Sequence, residues 1–403
     1  MAEPQLINGK KDSFIDYLSE LPNYFSNFLI PVYFTTASTM LIEMAGDLKA
    51  SVESFSIIFT YFVLGSVIGQ LTSVLYNRKF KKLIVLLSSY MFIILILLSL
   101  FFAHNIYIFY MLFSLLGYFS GVILIQSTKY VLENSIKNKG RIITIMLCFY
   151  SIGSLTAPFI ATSLIRRNID WRFSFIIMAV LTSFNAVLYM IAKGRRSKFV
   201  LEEEDRISFK KIFFDRRLNK LFLFGLTILF FYSVAETVMA TWVPTFLRIS
   251  RSFDISYAGY AVSIVWIGIL IGRIVVSVIA GRYNENYIMM ALAMLALISM
   301  IIFTLVGTVN LSLIFSFFIG LGLSGLGPLT ISYSSTLYEK GRGVLISIIF
   351  AANNFAISMT PLLTRAVSGH SMILSVSIAS IFMFLLIAAL FLKIIFERKS
   401  PAI

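Results

Sequence analysis

The chain has few charged residues. Only 13% of its 403 residues are Asp, Glu, Lys or Arg, whereas 59% are hydrophobic. A soluble domain of this length covers its surface with polar and charged side chains, and this chain has too few of them to do so. The scarcity of charge therefore excludes an ordinary soluble domain and predicts that a lipid bilayer is the solvent for most of the chain.

Residues that carry metal, redox or phosphate chemistry are also scarce. Cys148 is the only cysteine, so no internal disulfide can form. The two histidines, His104 and His370, have no partner at the spacing of metal ligands. The glycine-rich run 320–327 lies inside an apolar segment, which favours close helix packing over a phosphate-binding loop. We therefore expect no enzyme activity, no cofactor and no metal.

What the chain has instead is a series of long apolar runs. A helix needs about 20 apolar residues to cross the hydrocarbon core, which gives about twelve crossings for this chain. The runs are too long for strands and lack strict alternation, which argues against a β-barrel. We predict an all-α membrane protein with spans at 20–42, 53–75, 82–103, 106–134, 142–165, 172–193, 218–247, 257–280, 286–307, 309–337, 343–366 and 371–394.

The placement of basic residues predicts the topology. Lys and Arg number 34 against 19 Asp and Glu, and most of them cluster in alternate gaps between the runs, although two of the other gaps also contain arginines. Positive charge is retained in the cytosol, so both termini are predicted to be cytosolic, in a bacterial inner membrane. We expect the basic clusters to contact lipid headgroups and not nucleic acid. The polar residues 1–19 are expected to contain no cleavable signal.

The longest polar stretch divides the chain into two halves of six runs. It predicts an N-terminal six-helix bundle at 1–193, a cytosolic linker at 194–217 and a C-terminal six-helix bundle at 218–403. Each half carries a proline late in its fifth run, Pro158 and Pro361. Paired halves of this kind hold a substrate near the membrane midplane and move against each other for alternating access.

Several segments carry the motifs of a known family. Residues 232–242 (YSVAETVMATW) are similar to the seventh-helix pattern Tyr-x-Gly-Ala-Glu-x-x-x-Gly-Ser-Trp of the fucose/glucose:proton symporters, and 263–273 and 320–328 resemble the eighth and tenth helices of that family. Over its whole length the chain resembles a major facilitator superfamily transporter, and residues 149–153 and 242–244 resemble the TsgA-like branch. The resemblance implies a major facilitator fold and secondary transport.

Glu236 is the sharpest functional signal. It lies well inside an apolar run, where a carboxylate is costly and is expected to face the bundle interior or a water-filled cavity. Burial disfavours the charged form, which suits a group that takes up and releases protons. Tyr232 lies one helical turn earlier on the same face and can donate a hydrogen bond to it. The alternative is a fixed structural pair with a buried base.

The related symporters carry acidic residues in the first and fourth helices, where Thr39 and Val122 stand in this chain. Either Glu236 therefore couples transport to protons alone, or the coupling is different or absent.

Four charged residues are candidates for gating or charge pairing. Arg273 lies inside the eighth run. Three roles are open to it: a partner of Glu236, a donor to an anionic substrate or a gate residue. Lys129 and Glu133 are one turn apart and can neutralise each other, although Lys129 is also placed to reach the membrane interface. Arg78 fits the basic part of the superfamily's loop after the second helix, although Asn77 replaces the Asp of that motif.

Further polar residues inside the runs are candidates for substrate contact. Each is equally able to bond a neighbouring helix, and Trp242 suits either a sugar ring or the outer aromatic belt. The candidate substrate-binding residues are Tyr232, Trp242, Gln126, Tyr130, Asn27, Thr36, Thr39, Asn353 and Asn354.

The sequence thus predicts a monomeric secondary transporter that moves a small polar, sugar-like solute with protons by alternating access, with Glu236 as the proton carrier. The 39 Phe and 19 Tyr residues leave open a second hypothesis, which is proton-driven export of a drug, siderophore or amphipathic metabolite.

Overall fold

The computed structural model describes residues 14–76, 82–134, 139–192, 216–280, 282–337, 342–368 and 371–399. These residues are almost entirely helical, and no β-strand occurs among them. In the first half the helices are α1 (Phe14–Thr39), α2 (Leu41–Asp47), α3 (Val52–Phe55), α4 (Ile58–Tyr76), α5 (Lys82–Phe102), α6 (Ile106–Asn134), α7 (Lys139–Arg166) and α8 (Phe173–Ala192). In the second half they are α9 (Arg216–Arg251), α10 (Ile255–Ile279), α11 (Glu285–Leu305), α12 (Val309–Leu323), α13 (Leu326–Thr336), α14 (Arg342–Ser368) and α15 (Met372–Lys399).

Every predicted span coincides with a long helix or a broken pair of helices. By length and hydropathy, ten of the described helical spans can cross a membrane, or eleven if the bent pair α1–α2 counts as one. The remaining predicted span is α14, which carries Asn353, Asn354 and Pro361 and is therefore less apolar. The all-α prediction is confirmed.

Three of the described spans are interrupted, which the apolar pattern did not predict, and one of these interruptions lies between α3 and α4. The chain bends by 63° between α1 and α2. Just before the bend the hydroxyls of Ser38 and Thr39 both donate to the Thr35 carbonyl, and such bonds compete with the backbone ladder. The tenth span breaks between α12 and α13, within the glycine-rich run.

The helices form two bundles, each with its own hydrophobic core. One core is drawn from residues 29–189 and the other from residues 222–390. The principal helix pairs repeat between the halves: α1 with α7 corresponds to α9 with α14, α4 with α6 to α10 with α12, and α5 with α8 to α11 with α15. The predicted linker 194–217 lies almost entirely outside the described residues, so its bounds stay a prediction.

The glycine-rich run serves close packing, as expected. A Cβ on Gly320 would collide with the carbonyl of Val265, so α12 approaches α10 more closely than any other residue would allow. We call the side on which α1 begins the inner side, following the predicted topology, and the opposite side the outer side.

The two bundles meet along a seam formed by three helix pairs. These are α7 with α10, α4 with α14 and α1 with α9. The seam is where the two halves of a transporter move against each other, so polar side chains along it are the first place to look for a site.

Candidate functional site

Glu236 and Tyr232 form the pair that the sequence predicts. The Tyr232 hydroxyl donates to Oε1 of Glu236 at 2.6 Å, because the two residues are one turn apart on α9. Tyr232 is buried, whereas Glu236 is partly exposed. The residue as a whole is therefore not fully enclosed, although its carboxyl group lies deep in the protein.

A glycine on α13 makes room for the tyrosine ring. A Cβ on Gly327 would lie 2.7 Å from Cε1 of Tyr232 and 3.2 Å from its hydroxyl oxygen. Any other residue at Gly327 would therefore push the ring away from its position beside Glu236. The break between α12 and α13 thus helps to place the tyrosine at the carboxylate.

Arg273 reaches across the seam and not to Glu236. Its Nη1 donates to Oγ of Ser151 at 2.7 Å and to the carbonyl of Leu147 at 3.2 Å, both on α7. Among the described residues it makes no direct ion pair with Glu236, although the two charges interact through space. In this conformation Arg273 joins the two bundles, and its roles as a partner of Glu236, a donor to an anionic substrate or a gate residue stay predictions.

Further contacts join α10 to α7 along the same face. The Ser263 hydroxyl donates to the Leu155 carbonyl at 3.0 Å, and the rings of Trp266 and Tyr150 lie 5.9 Å apart between their centroids. Tyr150 also lies near enough to Glu236 to interact with its charge. Glu236 of α9 therefore lies within electrostatic range of α7 of the other bundle. Sequence reasoning missed Tyr150 and Trp266, although the helical spacing from Trp266 to Arg273 was a signal that they share a face.

The two adjacent asparagines on α14 have different partners. Asn354 donates through Nδ2 to Oε1 of Gln70 on α4 at 2.9 Å, which is a contact between the bundles. Asn353 accepts from the Ser233 hydroxyl on α9 at 2.6 Å, within one bundle. Both amides therefore bond neighbouring helices in this conformation, and Asn354 lies on the seam.

Three other predicted contact residues have partners within their own bundle. The Gln126 amide donates to the hydroxyl and the carbonyl of Ser73 at 2.9 and 3.1 Å, so it ties α6 to α4. Asn27 donates to the carbonyl of Asn23 at 3.1 Å, one turn earlier on α1. Thr39 donates to the Thr35 carbonyl at 2.9 Å. In this conformation none of these donors is free for a solute.

Four of the predicted residues have a buried polar atom with no partner in the described part of the chain. These atoms are Oγ1 of Thr36, Oε1 of Gln126, Nε1 of Trp242 and Nε of Arg273. Trp242 is fully buried in the core of the second bundle, so the hypothesis that it belongs to the outer aromatic belt is wrong. The remaining predicted residues cannot be placed: Arg78 lies outside the described residues, as do the side chains of Lys129, Tyr130 and Glu133.

At the outer side an ion pair joins the bundles. Glu43 of α2 and Arg248 of α9 approach to 2.6 Å, and about a fifth of each side chain is exposed (19% and 20%). Nearby, the Ser38 hydroxyl of α1, which donates to the Thr35 carbonyl, also lies 3.2 Å from the Ala240 carbonyl of α9 and shares its proton between the two. The outer ends of α1 and α9 are therefore held together, which sequence reasoning did not anticipate.

A second charged cluster lies at the inner end of the second bundle. The ammonium of Lys393, on α15, donates to Oδ1 of Asn286 at 2.6 Å and lies 3.3 Å from Oε1 of Glu397. The Tyr333 hydroxyl donates to the same carboxylate oxygen at 2.7 Å. Lys393 is only 1% exposed, so its charge is compensated inside the protein and ties α11, α13 and α15 together.

The described residues contain no group of three or more His, Cys, Asp and Glu side chains that could hold a metal ion. The polar groups gathered on the seam are a carboxylate, a guanidinium, hydroxyls, amides and two aromatic rings. Such groups can bind a polar solute and exchange protons, and they include no paired nucleophile and base.

Comparison with known proteins assigns the family. The profile described as "Major Facilitator Superfamily" matches residues 24–361, which is most of the chain. The chain belongs to the Major Facilitator Superfamily. It is accordingly a multi-pass membrane transporter of small molecules and not an enzyme.

Curated relatives lie within the same superfamily. The chain is 26% identical to the "Glucose/mannose transporter GlcP" of Bacillus subtilis (strain 168) over 305 residues, which cover 74% of each protein. It is 23% identical to the "Protein TsgA homolog" of Yersinia enterocolitica over 357 residues, which cover 87% of this chain and 88% of the relative. The resemblance stated from the sequence motifs is thereby confirmed.

Solved structures of transporters share the fold. A bacterial homolog of the human lysosomal transporter Spinster, in an inward-facing conformation, matches with a TM-score of 0.77 at 10% identity and covers 97% of this chain and 100% of its own. A D-xylose-proton symporter matches with a TM-score of 0.76 at 16% identity and covers 94% of this chain and 97% of its own. At such identities the likeness shows the fold alone, and it confirms the predicted all-α major facilitator fold.

Proposed function

We propose that this transporter imports a small sugar-like solute across the bacterial inner membrane together with protons, and that Glu236 is the proton carrier. The observation that carries the proposal is the position of Glu236: a carboxylate inside a membrane helix, bonded by Tyr232 and within electrostatic range of Tyr150 of the other bundle. A charge at such a place is expensive and is retained where it lines a wet pathway.

The proton step follows from the surroundings of the carboxylate. The hydrogen bond from Tyr232 and the positive charge of Arg273 favour the ionised form, whereas burial favours the neutral form. When the bundles part, the distance from Glu236 to groups of α7 changes, and so does the balance between these effects. Glu236 therefore gains a proton on one side of the membrane and loses it on the other.

The substrate class rests on the polar seam and on the relatives. GlcP is named as a glucose/mannose transporter, and the sugar symporter with the same fold is named for D-xylose and protons. Tyr232, Asn354 and the Thr36 hydroxyl, which has no partner among the described residues, offer the donors and acceptors that a neutral polyol needs. Four of the remaining candidates would take part after their present hydrogen bonds rearrange, namely Gln126, Asn27, Thr39 and Asn353. Tyr130 and Trp242 complete the proposed set of substrate-binding residues.

The orientation and the assembly belong to the same proposal. The basic gaps favour cytosolic termini and contact with anionic lipid headgroups. A single chain contains both halves of the seam, so a monomer suffices for transport.

The test is transport by purified protein in liposomes with a panel of labelled sugars. With an inward-directed proton gradient, wild type should accumulate a sugar, whereas Glu236→Gln should lose accumulation but keep the exchange of labelled for unlabelled sugar, which needs no net proton movement. Glu53→Gln, which removes a carboxylate from α3 at the outer side, is the matched control and should accumulate normally.

Two results would overturn the proposal. Full accumulation by Glu236→Gln would remove Glu236 as the carrier. Failure of every sugar, together with proton-driven efflux of an amphipathic compound, would establish the exporter instead.

A further inference from the structure

The three tryptophans of the chain differ in what their indole N–H groups bond. Trp171 donates to Oδ2 of Asp47 at 2.8 Å, at the outer side. Trp242 and Trp266 are buried, and neither indole N–H has a partner among the described residues. Leaving a buried donor unbonded costs free energy, so each such group in a native protein requires an explanation. Trp242 lies in the core of one bundle, but Trp266 lies on the seam.

Trp266 is held against the other bundle by contacts on both sides of it along α10. One turn before it, Ser263 bonds the Leu155 carbonyl, and two turns after it Arg273 bonds Ser151. The ring of Trp266 therefore faces α7, where it lies 5.9 Å from the ring of Tyr150 with an angle of 57° between the planes. The two rings are separated or brought together whenever the bundles move.

A second buried group without a partner lies on the facing helix. Ser154 is one turn from Tyr150 and Ser151 on α7, it is fully buried, and its hydroxyl has no partner in the described part of the chain. The two facing helices thus carry an aromatic face, an N–H donor without a described partner and, one turn from Tyr150, a hydroxyl without a described partner.

We infer that Trp266, Tyr150 and Ser154 form the subsite that recognises the ring of a neutral sugar. The C–H face of the sugar packs on the indole, one ring hydroxyl accepts the hydrogen bond of Trp266 Nε1, and a hydroxyl bonds Ser154. Because the indole belongs to α10 and the other two residues to α7, the bound sugar contacts both bundles. This inference rests on the proposed substrate class and names the residues that select within it.

The experiment measures sugar affinity without a proton gradient, as the concentration that gives half-maximal exchange in proteoliposomes. Trp266→Phe keeps an aromatic face and removes the N–H donor. We expect it to raise the half-saturating concentration about tenfold, the usual consequence of leaving one ligand hydroxyl unbonded. Trp171→Phe makes the same substitution at the outer side, where the N–H is bonded to Asp47, and should leave the half-saturating concentration unchanged.

Deoxy sugars distinguish a direct contact from a structural effect. The analogue that lacks the accepting hydroxyl should bind wild type about tenfold more weakly than the parent sugar does. The affinity of this analogue for Trp266→Phe should be no lower than its affinity for wild type. Each of the other deoxy analogues should bind Trp266→Phe about tenfold more weakly than it binds wild type. If Trp266→Phe fails to fold, Ser154→Ala allows the same comparison for its own hydroxyl.

The outcomes separate the inference from the proposed function. If wild type exchanges no sugar, the proposed substrate class is wrong. If wild type exchanges sugars but Trp266→Phe and Ser154→Ala bind all of them unchanged, or lose affinity for every analogue equally, the subsite is wrong while the proposed function stands.

Discussion

The ion pair between Glu43 and Arg248 predicts how firmly the outer side of the transporter is closed. It joins α2 of one bundle to α9 of the other at 2.6 Å, so it must break when the outer side opens. Glu43→Gln keeps the shape of the side chain and removes its charge. In the closed state Arg248 then loses its counter-charge, whereas in the open state it is free to reach water. The substitution should therefore destabilise the closed state selectively.

The magnitude follows from the exposure of the pair. Exposed ion pairs contribute about 0.2–1 kcal/mol, and removing one partner of a fully buried pair costs about 3–5 kcal/mol. With the side chains 19% and 20% exposed, Glu43→Gln should cost the closed state about 2 kcal/mol. That free energy corresponds to a shift of about 30-fold toward the outward-open state.

The assay is the rate at which a membrane-impermeant thiol reagent modifies a cysteine at the outer seam. Ser38→Cys in a Cys148→Ala background supplies that cysteine, because Ser38 is buried against Ala240 in the closed state. Glu43→Gln should raise the modification rate about 30-fold, in proportion to the open population.

The exchange of the two charges provides the control. Glu43→Arg combined with Arg248→Glu restores an ion pair and should restore slow modification. An unchanged rate in Glu43→Gln would refute the reasoning, because the pair would then contribute nothing to closure. A fast rate in the exchanged protein would show that shape, and not charge, holds the outer side.

Three further predictions concern other parts of the molecule. Gly327→Ala should displace the ring of Tyr232 and lower accumulation more than exchange, because a Cβ would lie 2.7 Å from Cε1 of that ring; unchanged transport would show that the ring position is unimportant. Hydrogen bonding from Ser256 holds the pKa of Asp254, which caps α10, below its usual range. Its stabilising contribution is therefore present above the ordinary carboxyl pKa and is lost as the pH falls through the lowered value. Asp254→Asn should abolish that loss in thermal unfolding followed from about pH 7 to pH 3, and an identical acid dependence would contradict the assignment. Lys393→Met should lower the free energy of unfolding by about 2 kcal/mol because it removes the charge partner of Glu397, whose side chain is only 26% exposed, and an unchanged melting temperature would show that the carboxylate is neutral or hydrated.

The sequence correctly predicted most of what local rules control. The bilayer requires each spanning segment to bond its own backbone, so apolar runs alone identify the helices. The pair of Tyr232 and Glu236 was equally accessible, because residues one turn apart share a helix face. The helix breaks at Met40 and before Leu326 could not be predicted in this way, because they depend on side-chain bonds and packing that hydropathy does not measure.

Contacts between helices were largely beyond prediction. Arg273 was correctly placed inside the membrane, but its bonds to Ser151 and Leu147 join residues more than a hundred positions apart. Lys393 was not singled out from the sequence, because its contacts with Asn286 and Tyr333 join it to two other helices.

By itself, the sequence determined the solvent, the helices, their division into two halves and the presence of a lone acid on α9, because hydropathy and helical periodicity are properties of neighbouring residues. Only the tertiary structure decided that Trp266 faces the other bundle while Trp242 is enclosed in its own. Both are tryptophans inside apolar helices, and the difference between them is the rotation of each helix about its axis, which the packing of its neighbours sets.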